Sequence, residues 1–508
     1  MNRAALPAPS WTAALAALPP EWFLAARWFQ GKASSVREIR PVDVLDLTRH
    51  LPSRDGYLCI ALAAVTTNDG STEMYQLPFC VEPADSGHIG PAIPLGTGWR
   101  VREALEEPAL HVALARLMRE GCEVAGEHGR FRFESLPPSP WQQVRPLAQT
   151  STNSLVLVKA DVICKFIRRV SLGPSPELEM NRFFATAGTF RNLPPMEGAL
   201  SYVDAAGGEY TLVLAQRFVD NQGDLWQGTQ HFLSSRLKQM AEKGHEAEAW
   251  RGDTVSADYM DRARRLARVL ATMHRTLTTA GSDAAFAPEP ITPTDLARWS
   301  AAMEADATAL FDKIAAREPG AHPALRDLRE RLPDIRRQAV TAFRRLAAFR
   351  PDGWIKCRVH GDFHLGQVLQ VDDDFFVIDF EGEPLKPALH RAAKYSPLKD
   401  VAGLLRSFNY AAYAALFAWA DRHPLSREEF RTLEQRLVEW NRTVEQSVRR
   451  SYFESMGWRE HGDLPSFLAA LKLEKAIYEL DYEFNNRPAW LPIPCGGIQA
   501  SLEEFFQT

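Results

Sequence analysis

The stretch Val359–Pro384, VHGDFHLGQVLQVDDDFFVIDFEGEP, restricts the fold more than any other part of the chain. It reads as a tight loop (His360 to Gln367), an apolar strand (Val368 to Val371), an acidic turn (Asp372 to Asp374) and a second apolar strand (Phe375 to Ile378). Two short strands flanking an Asp-rich turn make a hairpin. That hairpin brings Asp362, Gln367 and Asp379 to one end.

Three oxygen-bearing side chains so arranged fit phosphoryl transfer. One aspartate orients the attacking hydroxyl, an amide five residues on binds a metal, and a second aspartate holds the metal that bridges the nucleotide phosphates. Asp362-x4-Gln367 matches the Asp-x4-Asn spacing of protein kinases, with Gln in the Asn place. His-Gly-Asp alone is a common loop tripeptide, and an aspartate ending a strand is often a turn former. The spacing together with the intervening strand is what carries the catalytic reading.

At 508 residues the chain is too long for one core and calls for roughly two to four units. Its hydrophobic (45%) and charged (24%) contents are those of an ordinary globular protein. A net charge of -5 gives no reason to expect nucleic acid or an anionic membrane as a partner. No apolar run approaches a membrane span, and the proline-broken AALAALPP segment makes a poor signal peptide. Cys59, Cys80, Cys122, Cys164, Cys357 and Cys495 lack CxxC or Cys/His spacing, so they read as reduced core residues of a cytoplasmic protein. The expected assembly is a monomer or a homodimer.

Along the chain, residues 1–95 read as a small α+β unit. VREIRPVDVLDL, GYLCIALAAVTT and MYQLPFCV are its strands, with an Asn68-Asp69-Gly70 turn between the last two. Residues 96–219 open with an expected amphipathic helix, VREALEEPALHVALARLMREG, and continue as a sheet. In VRPLAQTSTNSLVLVKADVICKFIRRV no glycine-rich loop appears. Ser151, Thr152 and Asn153 take its place, offering hydroxyls and backbone N–H groups to phosphates. Lys165 lies within an apolar strand, and a buried ammonium needs a partner. The kinase scheme supplies one in a helix glutamate. SPELEMNRFFA starts such a helix, with Ser175 as N-cap and Pro176 at N1, and either Glu179 or Glu177 can reach the lysine. The strand Gly208–Val219 leads to a hinge at Gln216, Phe218 and Val219, where a kinase-like chain presents backbone to adenine. Residues 220–508 are mostly helical. Asp400, early in a helix, either braces the catalytic loop or favours the helix N-terminus.

EKAIYELDYEFNNRPAWLPIP offers an acceptor surface. Lys475, Tyr478, Glu479 and Tyr482 fall at i, i+3, i+4 and i+7 of one helix face. Rings for sugar C–H faces and charged groups for vicinal hydroxyls suit a polyol. The bland alternative is a tyrosine seam beside a Glu/Lys pair. WLPIP stops this helix.

HGDFHLGQVL, VIDFEGEPLKP, KYSPLKDVAGLLRSFNYAAY and EKAIYELDYEFNNRPAWLPIP resemble the bacterial maltokinases, as do RWFQGK, NSLV…KFIRR…PELEMNRFF and FVDNQGDLW. The resemblance runs from about Arg27 to Ile498. It implies an α+β, bilobal, protein-kinase-like fold with an N-terminal cap subdomain and a mostly helical C-lobe. It also implies ATP- and Mg2+-dependent phosphorylation of maltose at the anomeric hydroxyl, feeding α-glucan synthesis, with trehalose synthase as a partner. Asp362 would be the base, Gln367 and Asp379 would hold Mg2+, Lys165 and its glutamate would hold ATP, and Lys475, Tyr478, Glu479, Tyr482 and His364 would meet the sugar. Gln30, the segment ALHRAAKYSP and Asn409 depart from the family pattern and leave the acceptor open. The rival readings are a kinase for another sugar, glucosamine or an aminoglycoside, and a catalytically silent module that binds trehalose synthase.

Overall fold

A computed structural model describes residues 11–29, 31, 35–51, 56–86, 91–95, 98–135, 144–146, 153–158, 161–243, 254–279, 283–317, 323–383, 386 and 388–507. The three N-terminal apolar runs form the antiparallel strands Val36–Asp46, Tyr57–Thr67 and Thr72–Pro83. The middle strand is buried almost throughout because both its faces are covered. Cys59, Ala61, Ala63 and Val65 pack with Phe23, Trp28 and Phe29. Leu58, Ile60 and Leu62 pack with residues of the helix Pro108–Glu120 and of a second sheet. This is the two-residue alternation of a strand read on both faces.

The expected helix beginning at Val101 starts later. Trp99–Glu103 is a strand paired to Phe79–Pro83, and the helix spans Pro108–Glu120. Pro108 takes the first turn, where its missing N–H costs nothing, and biases the preceding residue away from helical geometry. The second sheet has seven strands in the order Glu123–Ala125, Gly129–Ser135, Met196–Asp204, Glu209–Arg217, Val162–Phe166, Ser154–Val158, Val144–Pro146. Gln76 joins the two sheets by donating its side-chain N–H to the carbonyls of Ile167 (3.0 Å) and Leu212 (2.8 Å).

The chain separates into two compact units, Met1–Thr186 with Pro194–Asp220, and Ala187–Leu193 with Asn221–Thr508. The α+β, two-part architecture expected from the sequence is thus present, with the sheets in the first unit. Among the described residues the second is helical apart from small two-stranded pairings. Its central helix, Leu398–Ala420, is buried along most of its first four turns. The helix Leu464–Asn486 ends before WLPIP, as its proline content requires. Pro492 then opens a further helix, Pro492–Gln507, which the sequence reading had not included. No helix among the described residues is long and apolar enough to cross a membrane. All six cysteines are free thiols, and five of them are buried.

Gly403 on the central helix sets a close approach: a Cβ there would stand 2.6 Å from the Phe363 carbonyl oxygen. Backbone cannot yield as a side-chain tip can. Gly403→Ala is therefore expected to lower stability in urea unfolding by about 1–3 kcal/mol and to reduce activity by shifting the neighbour of Asp362.

Candidate active site

The hairpin forms as strands Val368–Val371 and Asp374–Val377, with Val371 paired to Asp374 across a two-residue turn. Asp372, the first turn residue, has φ +49°. Asp379 also has positive φ, +65°, a conformation that aspartate tolerates better than most residues but that still stores strain. Gln367 donates from Nε2 to Asp379 Oδ2 at 3.0 Å. The structure therefore brings these two residues together. Carboxylate and amide oxygens are the donor type that hard divalent cations take, so this pair fits such an ion.

The loop before the hairpin is fixed from two sides. His360 Nε2 lies 2.9 Å from the Ile378 carbonyl, tying the loop to the residue before Asp379. Asp400, fully buried, accepts the His360 N–H through Oδ2 and the Gly361 N–H through Oδ1, both at 2.8 Å. Its Oδ2 is also 3.0 Å from His274 Nε2, whose ring reaches Tyr452 Oη at 2.7 Å through Nδ1. Burial pushes the Asp400 carboxyl up, but the hydrogen bond and charge of His274 outweigh this and hold it below the usual range. Of the two sequence readings of Asp400, loop bracing is the one its contacts describe.

Asp362 faces the helix Leu464–Asn486. Lys475 Nζ donates to Asp362 Oδ1 at 2.8 Å and lies 3.3 Å from Glu383 Oε1. Lys399 stands 3.6 Å from Glu383 and 3.9 Å from Glu474. A narrow cavity of about 10 Å³ lies among Gly361, Asp362, Glu383, Lys399, Glu474 and Lys475, the size of a single water. Burial raises the Asp362 carboxyl, yet the Lys475 ammonium, then His364, bring it below its ordinary value. Burial lowers Lys475, but Asp362 and Glu383 reverse that and raise it. Burial also raises Glu474.

The other expected acceptor residues have more varied settings. Tyr478 lies under the Lys475 ammonium, 4.4 Å from Nζ to ring centroid, and burial pushes its hydroxyl up to about 12. His364 accepts the Gly366 N–H through Nδ1 at 3.0 Å, capping a short 3-10 turn. Burial moves its imidazole below the usual pKa, against the opposing pull of Asp362. Glu479 is ion-paired to Arg406 at 2.6 Å, so it is not an open carboxylate as the helical spacing had led one to expect. Tyr482 is exposed, with Arg487 5.5 Å from its ring.

In the first unit, Lys165 donates to Glu177 Oε2 at 2.8 Å, and both residues are buried. Of the two glutamates left open by the sequence, Glu177 is the one paired with Lys165, not the Glu179 of the expected ATP site. The helix starts as expected, Ser175 Oγ accepting the Leu178 N–H at 3.1 Å, but its phase turns Glu177 inward and leaves Glu179 half-buried. Glu177→Gln is expected to reduce kcat/KM for ATP by roughly 30-fold or more, since it leaves a buried ammonium without a counter-charge. Glu179→Gln should stay within about threefold, and steady-state kinetics on both separates them.

Of the phosphate-loop residues, Ser151 and Thr152 lie outside the described residues, and Asn153 is buried. In the stretch expected to meet adenine, Gln216 donates from Nε2 to Asn181 at 3.0 Å. The Phe218 N–H donates to the Asp161 carbonyl at 2.7 Å, so that one backbone donor is engaged within the protein. Val219 follows the strand Glu209–Arg217.

Glu383, Lys399, Glu474 and His274 escaped the sequence reading. The acidic EGEP tail after Asp379 was the available signal for Glu383. Nothing local marks the others, because their partners are distant in sequence.

The family model described as phosphotransferase enzyme family, APH, matches residues 143–418, more than half of the chain. The chain belongs to this family. A model described as maltokinase N-terminal cap domain matches residues 22–104 of this phosphotransferase. A glucosamine kinase of Mycolicibacterium smegmatis (strain ATCC 700084 / mc(2)155) is 26% identical over 379 residues, 74% of this chain and 84% of the relative. A glucosamine kinase of Streptacidiphilus jiangxiensis is 28% identical over 246 residues, 48% of this chain and 50% of the relative. Among solved structures, a glucosamine kinase in complex with glucosamine, ADP and inorganic phosphate aligns over 97% of this chain and 99% of its own, with TM-score 0.66 and 20% identity. That likeness concerns the fold: the phosphotransferase has a kinase-like architecture with an N-terminal cap.

Proposed function

We propose that this phosphotransferase uses ATP to phosphorylate maltose at the anomeric hydroxyl, giving maltose 1-phosphate for α-glucan synthesis. The observation that carries the reading is the Asp362–Lys475 pair at 2.8 Å. It sets the candidate base of the catalytic loop against the Lys475–Tyr478 face of the helix read as the acceptor surface. The match of residues 22–104 to a maltokinase cap supports the maltose reading.

In this reading Asp362 accepts the proton of the anomeric hydroxyl as the hydroxyl attacks in line. Asp400 positions the loop through the amides of His360 and Gly361. Lys165, held by Glu177, is assigned to the nucleotide phosphates. Mg2+, held by Gln367 and Asp379, would supply neutralisation of phosphate charge. Lys475 orients an acceptor hydroxyl and keeps Asp362 ionised. In a partner role, the enzyme would receive maltose from trehalose synthase.

The sign of the pH dependence follows from Asp362. A base whose carboxyl sits below its ordinary value is ready throughout neutral pH and is lost only as pH falls through that depressed pKa. The acid limb of kcat/KM is therefore expected below about pH 4. Lys475→Met removes the main lowering influence and should move this limb upward by roughly a unit or more. An unmoved limb would take Asp362 out of the base role.

A second reading, a kinase for glucosamine, has the named relatives and the aligned glucosamine kinase in its favour. ATP consumption with maltose, glucose, glucosamine, trehalose and kanamycin separates the two. Turnover with maltose alone supports the first, and turnover with glucosamine or kanamycin rejects it. Silence with all five would leave a non-catalytic module that binds trehalose synthase.

A further inference from the structure

We infer that Lys475 makes the acceptor site reject positively charged sugars, so that the hydroxyl delivered to Asp362 comes from a neutral sugar and not from an aminosugar. The inference rests on the sugar-kinase reading above and narrows its substrate class.

Recognition of a ligand ammonium requires a carboxylate with no cation of its own, since a desolvated ammonium must be paired. The carboxylates around this acceptor face have protein cations already. Asp362 holds Lys475 at 2.8 Å. Glu383 lies 3.3 Å from the same ammonium and 3.6 Å from Lys399. Further along the helix Leu464–Asn486, Glu479 is paired with Arg406 at 2.6 Å and Glu483 with Arg487 at 2.6 Å.

Glu474, 3.9 Å from Lys399, is shifted by burial toward its protonated form. His364 beside them has Nδ1 engaged, accepting the Gly366 N–H at 3.0 Å. An incoming ammonium therefore meets carboxylates that already have protein cations beside them. To reach Asp362 it must displace an ammonium tethered three ways, by Asp362, by Glu383 and by the Tyr478 ring at 4.4 Å. Two like charges forced to share one partner repel. A neutral sugar has no such conflict, because its hydroxyls accept from Lys475 and donate to Asp362 at once.

Glucose and glucosamine test this directly, because they differ only in a C2 hydroxyl against a C2 ammonium. Their dissociation constants are measured by titration on the full chain, alongside turnover, so variants without activity still report. At about pH 6.5, where the sugar amine is charged, wild type should bind glucose at least roughly tenfold tighter than glucosamine. Raising the pH to about 9 should shrink the gap as the sugar amine loses its proton.

Lys475→Met should close or invert the gap at pH 6.5 while weakening turnover with both sugars. Lys475→Gln serves if the methionine variant does not fold. Glu383→Gln, which leaves the site more positive, should widen the gap. Tighter binding of glucosamine by wild type at pH 6.5, or an unchanged ratio in both Lys475 variants, overturns the inference. An enzyme that turns over glucose or trehalose but not maltose, with the glucose preference intact, overturns only the maltose assignment.

Discussion

Asp362→Asn should lower kcat by about 10³-fold, the upper-middle range for loss of a positioned base, while the dissociation constant for ATP stays within roughly threefold. The substitution keeps the side chain's size and one acceptor oxygen for Lys475, which donates to Oδ1 at 2.8 Å. What it removes is the proton acceptor and the charge that balances Lys475. Single-turnover kinetics with radiolabelled ATP reads the chemical step, and nucleotide titration reads binding. Near-wild-type turnover in this variant would remove the base assignment, whereas a loss confined to ATP affinity would mean that Asp362 serves the nucleotide.

Asp400→Ala is expected to have the largest effect on stability. It leaves two backbone N–H groups, those of His360 and Gly361, and the His274 ring without their shared buried acceptor. Orphaned buried donors and an emptied charge site together cost about 3–5 kcal/mol, read as a lower urea midpoint at unchanged m-value. Because the loop carrying Asp362 then loses its anchor, kcat should fall by roughly 10²-fold even where the variant stays folded. The pH sign is fixed by the direction of the shift. Asp400 is held below its ordinary pKa, so its contribution is present above about pH 4 and is lost as pH falls through the depressed value. Asp400→Asn should therefore lose less stability than wild type on acidification. An equal loss in both would place the acid-sensitive group elsewhere.

Sequence and structure agree where a short stretch carries its own geometry. The hairpin was legible because two apolar runs bracket a turn, and the Gln367–Asp379 contact follows from closing it. Ser175-Pro176 announced a helix start for the same reason. The failures come where a helix's rotation or a distant partner decides. Glu177 and Glu179 are both first-turn acids, and only the helix's placement against the Lys165 strand selects Glu177. Periodicity put Glu479 beside Lys475 and Tyr478 correctly, but it could not reveal Arg406, which comes from another helix. The Asp362–Lys475 pair joins residues 113 positions apart, and the Asp400–His274 pair joins residues 126 apart. Neither has a local signature. Val101–Glu103 read as helix because these residues continue into a helical pattern, and strand pairing with Phe79–Val81 overrode that local preference.

The central claim, phosphoryl transfer to the anomeric hydroxyl of maltose, is tested most directly by the phosphorus NMR spectrum of the product formed from ATP, Mg2+ and maltose. One new phosphate monoester coupled to the anomeric proton, acid-labile and alkali-stable, is expected from wild type and not from Asp362→Asn. A phosphate on any other carbon, or an inert maltose sample beside a phosphorylated glucosamine control, would contradict it.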